Sequence, residues 1–107
     1  MDSEIDVPEL FRLLLKICKE KEYNELQTAL HKSYLELIKV EAESRREKTS
    51  SLIRGIQAID REVKLLNFEY DRVKREFNID GIPYFDQFIS EINKKRKEMT
   101  LLKNSIK

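Results

Sequence analysis

From residue 52 to residue 77 the apolar side chains Leu52, Ile56, Ile59, Val63, Leu66, Tyr70, Val73 and Phe77 fall at intervals of four and three without a slip. Such a stripe covers one face of a helix that packs lengthwise on another. A second stripe, Phe85, Phe88, Ile92, Lys95, Met99, Leu102 and Ile106, follows the same rhythm. Between them lies "FNIDGIP", where Asn78 suits a left-handed helix end, Gly81 a turn and Pro83 the start of the next helix. The two stripes predict an antiparallel hairpin with its turn at 78–82. Pairing Phe77 with Phe85, Val73 with Phe88, Tyr70 with Ile92, Leu66 with Lys95, Val63 with Met99, Ile59 with Leu102 and Ile56 with Ile106 keeps one register throughout. Lys95 is the one polar member. Either its stem packs along the seam while the ammonium reaches water, or it is a polar position that fixes register or meets a partner.

Upstream, residues 1–5 read as a frayed acidic tail. "DVPE" (6–9) is a helix start, with Asp6 as cap, Pro8 in the first turn and Glu9 at the capping-box position. Helix 1 is expected over about 7–20, with Leu10, Phe11, Leu14, Ile17 and Cys18 on its apolar side. A break near 20–24 is placed by a second capping box, Asn24 with Gln27; one uninterrupted helix is the alternative. From about 25 to 77 neither glycine-proline punctuation nor a turn cluster ends a helix, which would be about 80 Å long. Its first part carries Leu26, Leu30, Tyr34, Leu37 and Ile38, a stripe on which helix 1 can fold back. "ESRREKTSS" (43–51) lacks any large apolar side chain and is read as a solvated stretch of that shaft, because Glu, Arg and Lys favour helix. A loop is the alternative. Helix 3 is expected over about 83–106. The fold class is thus all-α: an elongated antiparallel helical hairpin or coiled coil, with a short N-terminal helix folded on a long central one, forming a single helical domain over 6–107.

Composition agrees. Of 107 residues 38% are charged, with a net charge of +1, and only two glycines and two prolines are available for turns. Interspersed charge of both signs suits solvated helices and is unlike a strongly basic nucleic-acid binder. The opening "MDSEIDVPEL" has neither the basic nor the apolar region of a secretory signal. The densest apolar run, residues 10–18, is too short to span a bilayer. A soluble intracellular chain is the expectation.

Little in the sequence points to catalysis. No Gly-rich phosphate loop, nucleophile motif or metal-ligand spacing occurs, and one cysteine with one histidine excludes a Cys/His zinc cluster. Neither a cofactor nor a small-molecule substrate is expected. His31, beside Leu30 on the helix 2 stripe, reads as an ordinary partly buried or surface histidine and Cys18 as a packing residue. Gly55 costs about 1 kcal/mol against Ala inside a helix, so it is either a tolerated defect or a place where a neighbouring backbone comes close. Ile53, Leu65 and Phe68 on helix 2, with Ile89 and Leu101 on helix 3, lie off the seam and are candidates for a partner interface. "NKKRKE" (93–98) holds Lys94, Lys95, Arg96 and Lys97 in succession. Three readings stand: a solvated helix surface, a nuclear-localisation signal, or a nucleic-acid contact. Successive helical positions point all around the axis, which favours the first. Helix 3 has its apolar stripe committed to helix 2, so a membrane-surface role is not expected.

Residues 50–88, "SSLIRGIQAIDREVKLLNFEYDRVKREFNIDGIPYFDQF", resemble the coiled-coil segment of the fifth-subunit family of the THO mRNA-export complex. In that family a helix of this apolar rhythm leads into a short Ile-Asp turn and a Phe-bearing helix. The matching positions are Leu52, Ile53, Ile56, Ile59, Glu62 and Val63, then Ile79, Asp80 and Phe88. The resemblance covers little more than a third of the chain. It implies a nuclear scaffold for assembling and exporting messenger ribonucleoprotein, with no catalytic residues.

The sequence therefore leads to a non-enzymatic coiled-coil scaffold or assembly subunit, with a helical protein partner or a second copy of itself. The nucleus is favoured over the cytoplasm. One alternative is a small nucleic-acid-associated protein using Lys94–Lys97 and the Arg45–Arg46 pair. Another is a small helical chaperone.

Overall fold

The computed structural model of the chain describes the backbone of residues 5–44 and 49–105, and side chains over 5–42 and 53–101. Among the described residues there are four helices and no strand: α1 (Val7–Lys21), α2 (Asn24–Ser44), α3 (Thr49–Glu76) and α4 (Phe85–Ser105). The all-α class stands, with four helices in place of three. The long shaft of 25–77 is two helices, α2 and α3, lying side by side.

Three contacts fix that reversal. Ser33 Oγ donates to the Glu62 carbonyl at 3.3 Å, Arg72 reaches Glu25 at 3.1 Å, and Gly55 packs against Val40. As α2 advances its partners on α3 recede, so the two helices are antiparallel. The principal extents of 48 × 33 × 18 Å leave no room for an 80 Å shaft. The physical reason is the burial available. Unbroken, the apolar faces of α2 and α3 would stand end to end, mostly in water. Folded, they bury Leu26, Leu30, Leu37 and Val40 together with Ile56, Ile59, Leu66 and Val73, and that gain exceeds the weak preference of the intervening charged residues for helix.

The first corner is a helix stop made without glycine. Glu22 takes a left-handed conformation (φ 59°), its N–H bonds the Lys19 carbonyl, and the N–H of Tyr23 bonds the Cys18 carbonyl at 2.9 Å. This is the six-to-one closure of a Schellman motif. The expected break at 20–24 is therefore present, but its cap differs. The N–H of Gln27 bonds the Tyr23 carbonyl, so Asn24 lies inside the first turn of α2 and does not cap it. The start of α1 follows expectation, with Asp6 accepting from the Glu9 N–H at 3.1 Å and Pro8 in the first turn. Phe11 then stacks on Tyr34 with ring centroids 4.1 Å apart, holding α1 back along α2.

The α3–α4 corner repeats the device. Asn78 is left-handed (φ 53°), as expected, and the Ile79 N–H bonds the Lys74 carbonyl at 3.0 Å. Pro83 does not open the next helix. Tyr84 is left-handed as well (φ 72°), and α4 begins at Phe85. The extra turn changes the register. Tyr70 stacks on Phe85 with centroids 3.6 Å apart, and Asp60 pairs with Arg96, its Oδ2 3.2 Å from Nη2. The helices are antiparallel as expected, but slipped by about one heptad from the pairing of Phe77 with Phe85. Phe77, freed from that pairing, is 49% exposed and leans on Tyr23 at the other corner.

Candidate interaction surface

The α3 helix shows how the surface arises. Its buried positions, Ile56, Ile59, Leu66, Tyr70 and Val73, form the expected stripe, with Val63 partly buried beside them. The flanks are occupied by polar ties to neighbouring helices. Toward α2, Arg72 binds Glu25, and within α3 it binds Glu69 (2.8 Å) and Glu76 (2.6 Å), a set that holds its guanidinium above its ordinary pKa, chiefly through the bond to Glu69. Toward α4, Asp60 binds Arg96. What remains is an outward face, and Leu65 and Phe68 stand on it 51% and 58% exposed. The helical period places both away from Leu66 and Ile59.

The other expected interface residues divide. Ile53 is 39% exposed and Leu101 69% exposed, toward the opposite end of the hairpin from Phe68. Ile89, expected at a partner interface, is instead partly buried against the core, on a helix that packs on α1 and α2 as well as on α3. Sequence reasoning missed Leu35, Ile38, Phe77 and Tyr84, all exposed. Ile38 was expected on the buried stripe of α2, where Val40 and Ser33 stand in its place. Reading residues 24–44 as a helix with buried Leu26, Leu30, Ser33, Leu37 and Val40 would have shown Leu35 pointing away. Leu52, Leu102 and Ile106 of the expected stripes lie outside the residues whose side chains are described.

The basic run does not act as one face. Lys95 reaches Glu41 on α2 at 3.1 Å and Arg96 is committed to Asp60, while Lys94 and Lys97 are exposed. Lys94 and Lys97 border a surface hollow together with Asp86, Ile89, Ser90 and Asn93. Lys95 thus sits half-buried between α4 and α2, and its expected place opposite Leu66 is not the one it takes. The Arg45–Arg46 pair lies outside the described residues.

At Gly55 there is a close approach, but by the Val40 side chain and not by the neighbouring backbone that one reading expects. A Cβ there would lie 3.0 Å from Val40 Cγ1 and nearer still to Cγ2. Cys18 is buried, and that burial pushes its thiol up to about 11, far from a reactive thiolate at neutral pH. His31 stacks on Phe11 with centroids 5.5 Å apart, an ordinary surface contact. Among the described residues no group of three His, Cys, Asp or Glu side chains is placed to hold a metal ion. No described helix is long and apolar enough to cross a membrane. Compared with known proteins, the chain matches no protein-family model, no curated protein and no solved structure.

Proposed function

We propose that this chain is a non-enzymatic helical scaffold, a subunit that joins a larger assembly through the outer face of its central hairpin. The observation that carries this reading is the pair Leu65 and Phe68, both more than half exposed on a helix whose opposite face is fully used by the core. Adjacent large apolar side chains on one exposed face are a recurrent feature of surfaces that another protein covers. The helices themselves need no further cover, since each has its own buried stripe.

The nucleic-acid alternative draws on the basic run, but two of its four cations are held by carboxylates of neighbouring helices, leaving Lys94 and Lys97. The scaffold reading is favoured for that reason. A nuclear setting, implied by the resemblance to the mRNA-export subunit and by the basic run, belongs to this proposal and is tested by locating the tagged full chain in cells.

Mass photometry of the purified chain, alone and after gentle recovery from its native source, tests the assembly reading. A stoichiometric complex is expected. A strictly monomeric species that brings no partner overturns it, and transient, substoichiometric recovery of clients would favour a chaperone.

A further inference from the structure

The outward face of α3 has a second property besides its apolar pair. From Arg54 to Phe68 the exposed positions comprise three cations (Arg54, Arg61 and Lys64), two amides, and Leu65 and Phe68; none is acidic. The carboxylates of this stretch, Asp60 and Glu62, are turned to the flanks and partly buried. Among the described residues the three cations have no ion-pair partner, whereas Arg72, Lys74, Lys95 and Arg96 are each taken by a carboxylate. Two carboxylates border the strip and both are taken by cations of α3: Asp71 faces Lys74 at 3.6 Å and Glu69 holds Arg72 at 2.8 Å. On α2, Lys32 and Lys39 are exposed and continue, at intervals of seven, the row begun by Glu25, the residue that reaches Arg72 on α3. The half-exposed Glu36 stands between them on the same row, so that margin is of mixed charge and the cations flanking the apolar pair are those of α3.

Resting on the assembly reading above, we infer that this strip of α3 docks an acidic amphipathic helix of a partner protein. An apolar pair three residues apart, on a straight face about 20 Å long, fits the ridge of a second helix. The surrounding unpaired cations select carboxylates flanking that ridge. A second copy of the chain placed strip to strip would set Arg61 and Lys64 against their own kind, which disfavours a symmetric homodimer here. A nucleic-acid backbone would satisfy the cations but leave Leu65 and Phe68 against phosphate.

The test uses the full-length chain and fluorescence anisotropy with three probes. The first is a helical peptide with Leu at every third and fourth position and Glu elsewhere. The second replaces each Glu by Lys, and the third is a single-stranded oligouridylate. Anionic vesicles containing phosphatidylserine serve as a sedimentation control. Binding of the acidic peptide, weakened at least tenfold by Leu65→Ser with Phe68→Ser, is expected. Arg61→Glu with Lys64→Glu should weaken it similarly and shift preference toward the basic peptide. Both pairs of substitutions are at exposed positions, and circular dichroism of each variant checks that the fold is kept. Equal binding of acidic and basic peptides, insensitivity to either pair, or stronger binding of the oligonucleotide or vesicles than of the acidic peptide would overturn the proposal. If a native complex is recovered intact with the Leu65→Ser, Phe68→Ser chain, the strip assignment fails while the assembly reading survives.

Discussion

Gly55 on α3 faces Val40 on α2 with no room for a side chain between them: a Cβ would stand 3.2 Å from Val40 Cβ and closer to both methyl groups. The hairpin is therefore packed at this level on a helix backbone. Gly55→Ala should gain about 1 kcal/mol of helix propensity and lose about 1–3 kcal/mol to overpacking. A net loss of up to about 2 kcal/mol in urea denaturation is expected. Val40→Ala alone leaves a void, yet in the Gly55→Ala background it supplies the missing space. The double variant should thus be more stable than the two single losses imply, by about 1 kcal/mol. Strict additivity would show that the two residues do not meet.

Glu22 marks another position where the residue type opposes the conformation. A side chain with a Cβ at φ 59° carries a steric cost that glycine lacks, and Glu22 is exposed with its backbone N–H already used in the helix stop. Glu22→Gly should raise the unfolding free energy by about 0.5–1 kcal/mol. Glu22→Ala should leave it nearly unchanged or lower. If both substitutions proved equally destabilising, the left-handed corner would not be the conformation in solution.

These two sites show what a single sequence reveals and what it hides. The helix start at Asp6, the stop at Asn78 and the core faces of α3 and α4 rest on chemistry within one or two turns of chain, and they were legible. The reversal between α2 and α3 was not, because residues 45–48 carry no glycine or proline and favour helix locally. What opposes them is burial of two faces whose contacts join residues from 15 (Val40 and Gly55) to 47 (Glu25 and Arg72) positions apart, a cost and gain that no local window contains. The register of α4 failed for a different reason. A stripe that repeats every seven residues matches itself after a slip of seven, so apolar faced apolar in the expected pairing and in the observed one alike. The left-handed Tyr84, and the bond between Tyr70 and Ile82, choose between them. The interaction strip was half legible: Leu65 and Phe68 stood off the seam from the start, but the lack of acidic neighbours could only be seen once Asp60 and Glu62 were placed on the flanks.

Tyr70 is the residue that makes that choice. Its hydroxyl accepts the buried Ile82 N–H at 3.0 Å while its ring stacks on Phe85 and carries the Lys74 ammonium 4.5 Å from its centroid. Tyr70→Phe keeps the ring contacts and removes only the acceptor, leaving the Ile82 N–H unpaired. A loss of about 1–3 kcal/mol follows, accompanied by faster amide hydrogen exchange at Ile82 above all other positions in the turn. Unchanged protection of that amide would mean that the bond does not hold the corner.

Cys18 makes stability depend on alkaline pH with a definite sign. Burial between α1 and the rest of the core pushes the thiol up from 9.0 to about 11, whereas in the unfolded chain it ionises near its ordinary value. Below about pH 9 both states hold the proton and the contribution is complete. Between about 9 and 11 the unfolded chain releases it while the folded chain keeps it, so the unfolding free energy falls as pH rises. Above about 11 both states are ionised and no further loss occurs. The total is on the order of 2 kcal/mol. Lysine and tyrosine titrate over the same interval, so the measurement compares the native chain with Cys18→Ala. That variant loses some packing but cannot titrate, and its stability deficit should shrink steadily from pH 8.5 to pH 11. The native thiol should also resist alkylation at pH 8 until denaturant unfolds the chain. A deficit independent of pH, together with rapid labelling of the folded protein, would place Cys18 at the surface and dismantle the packing described for α1.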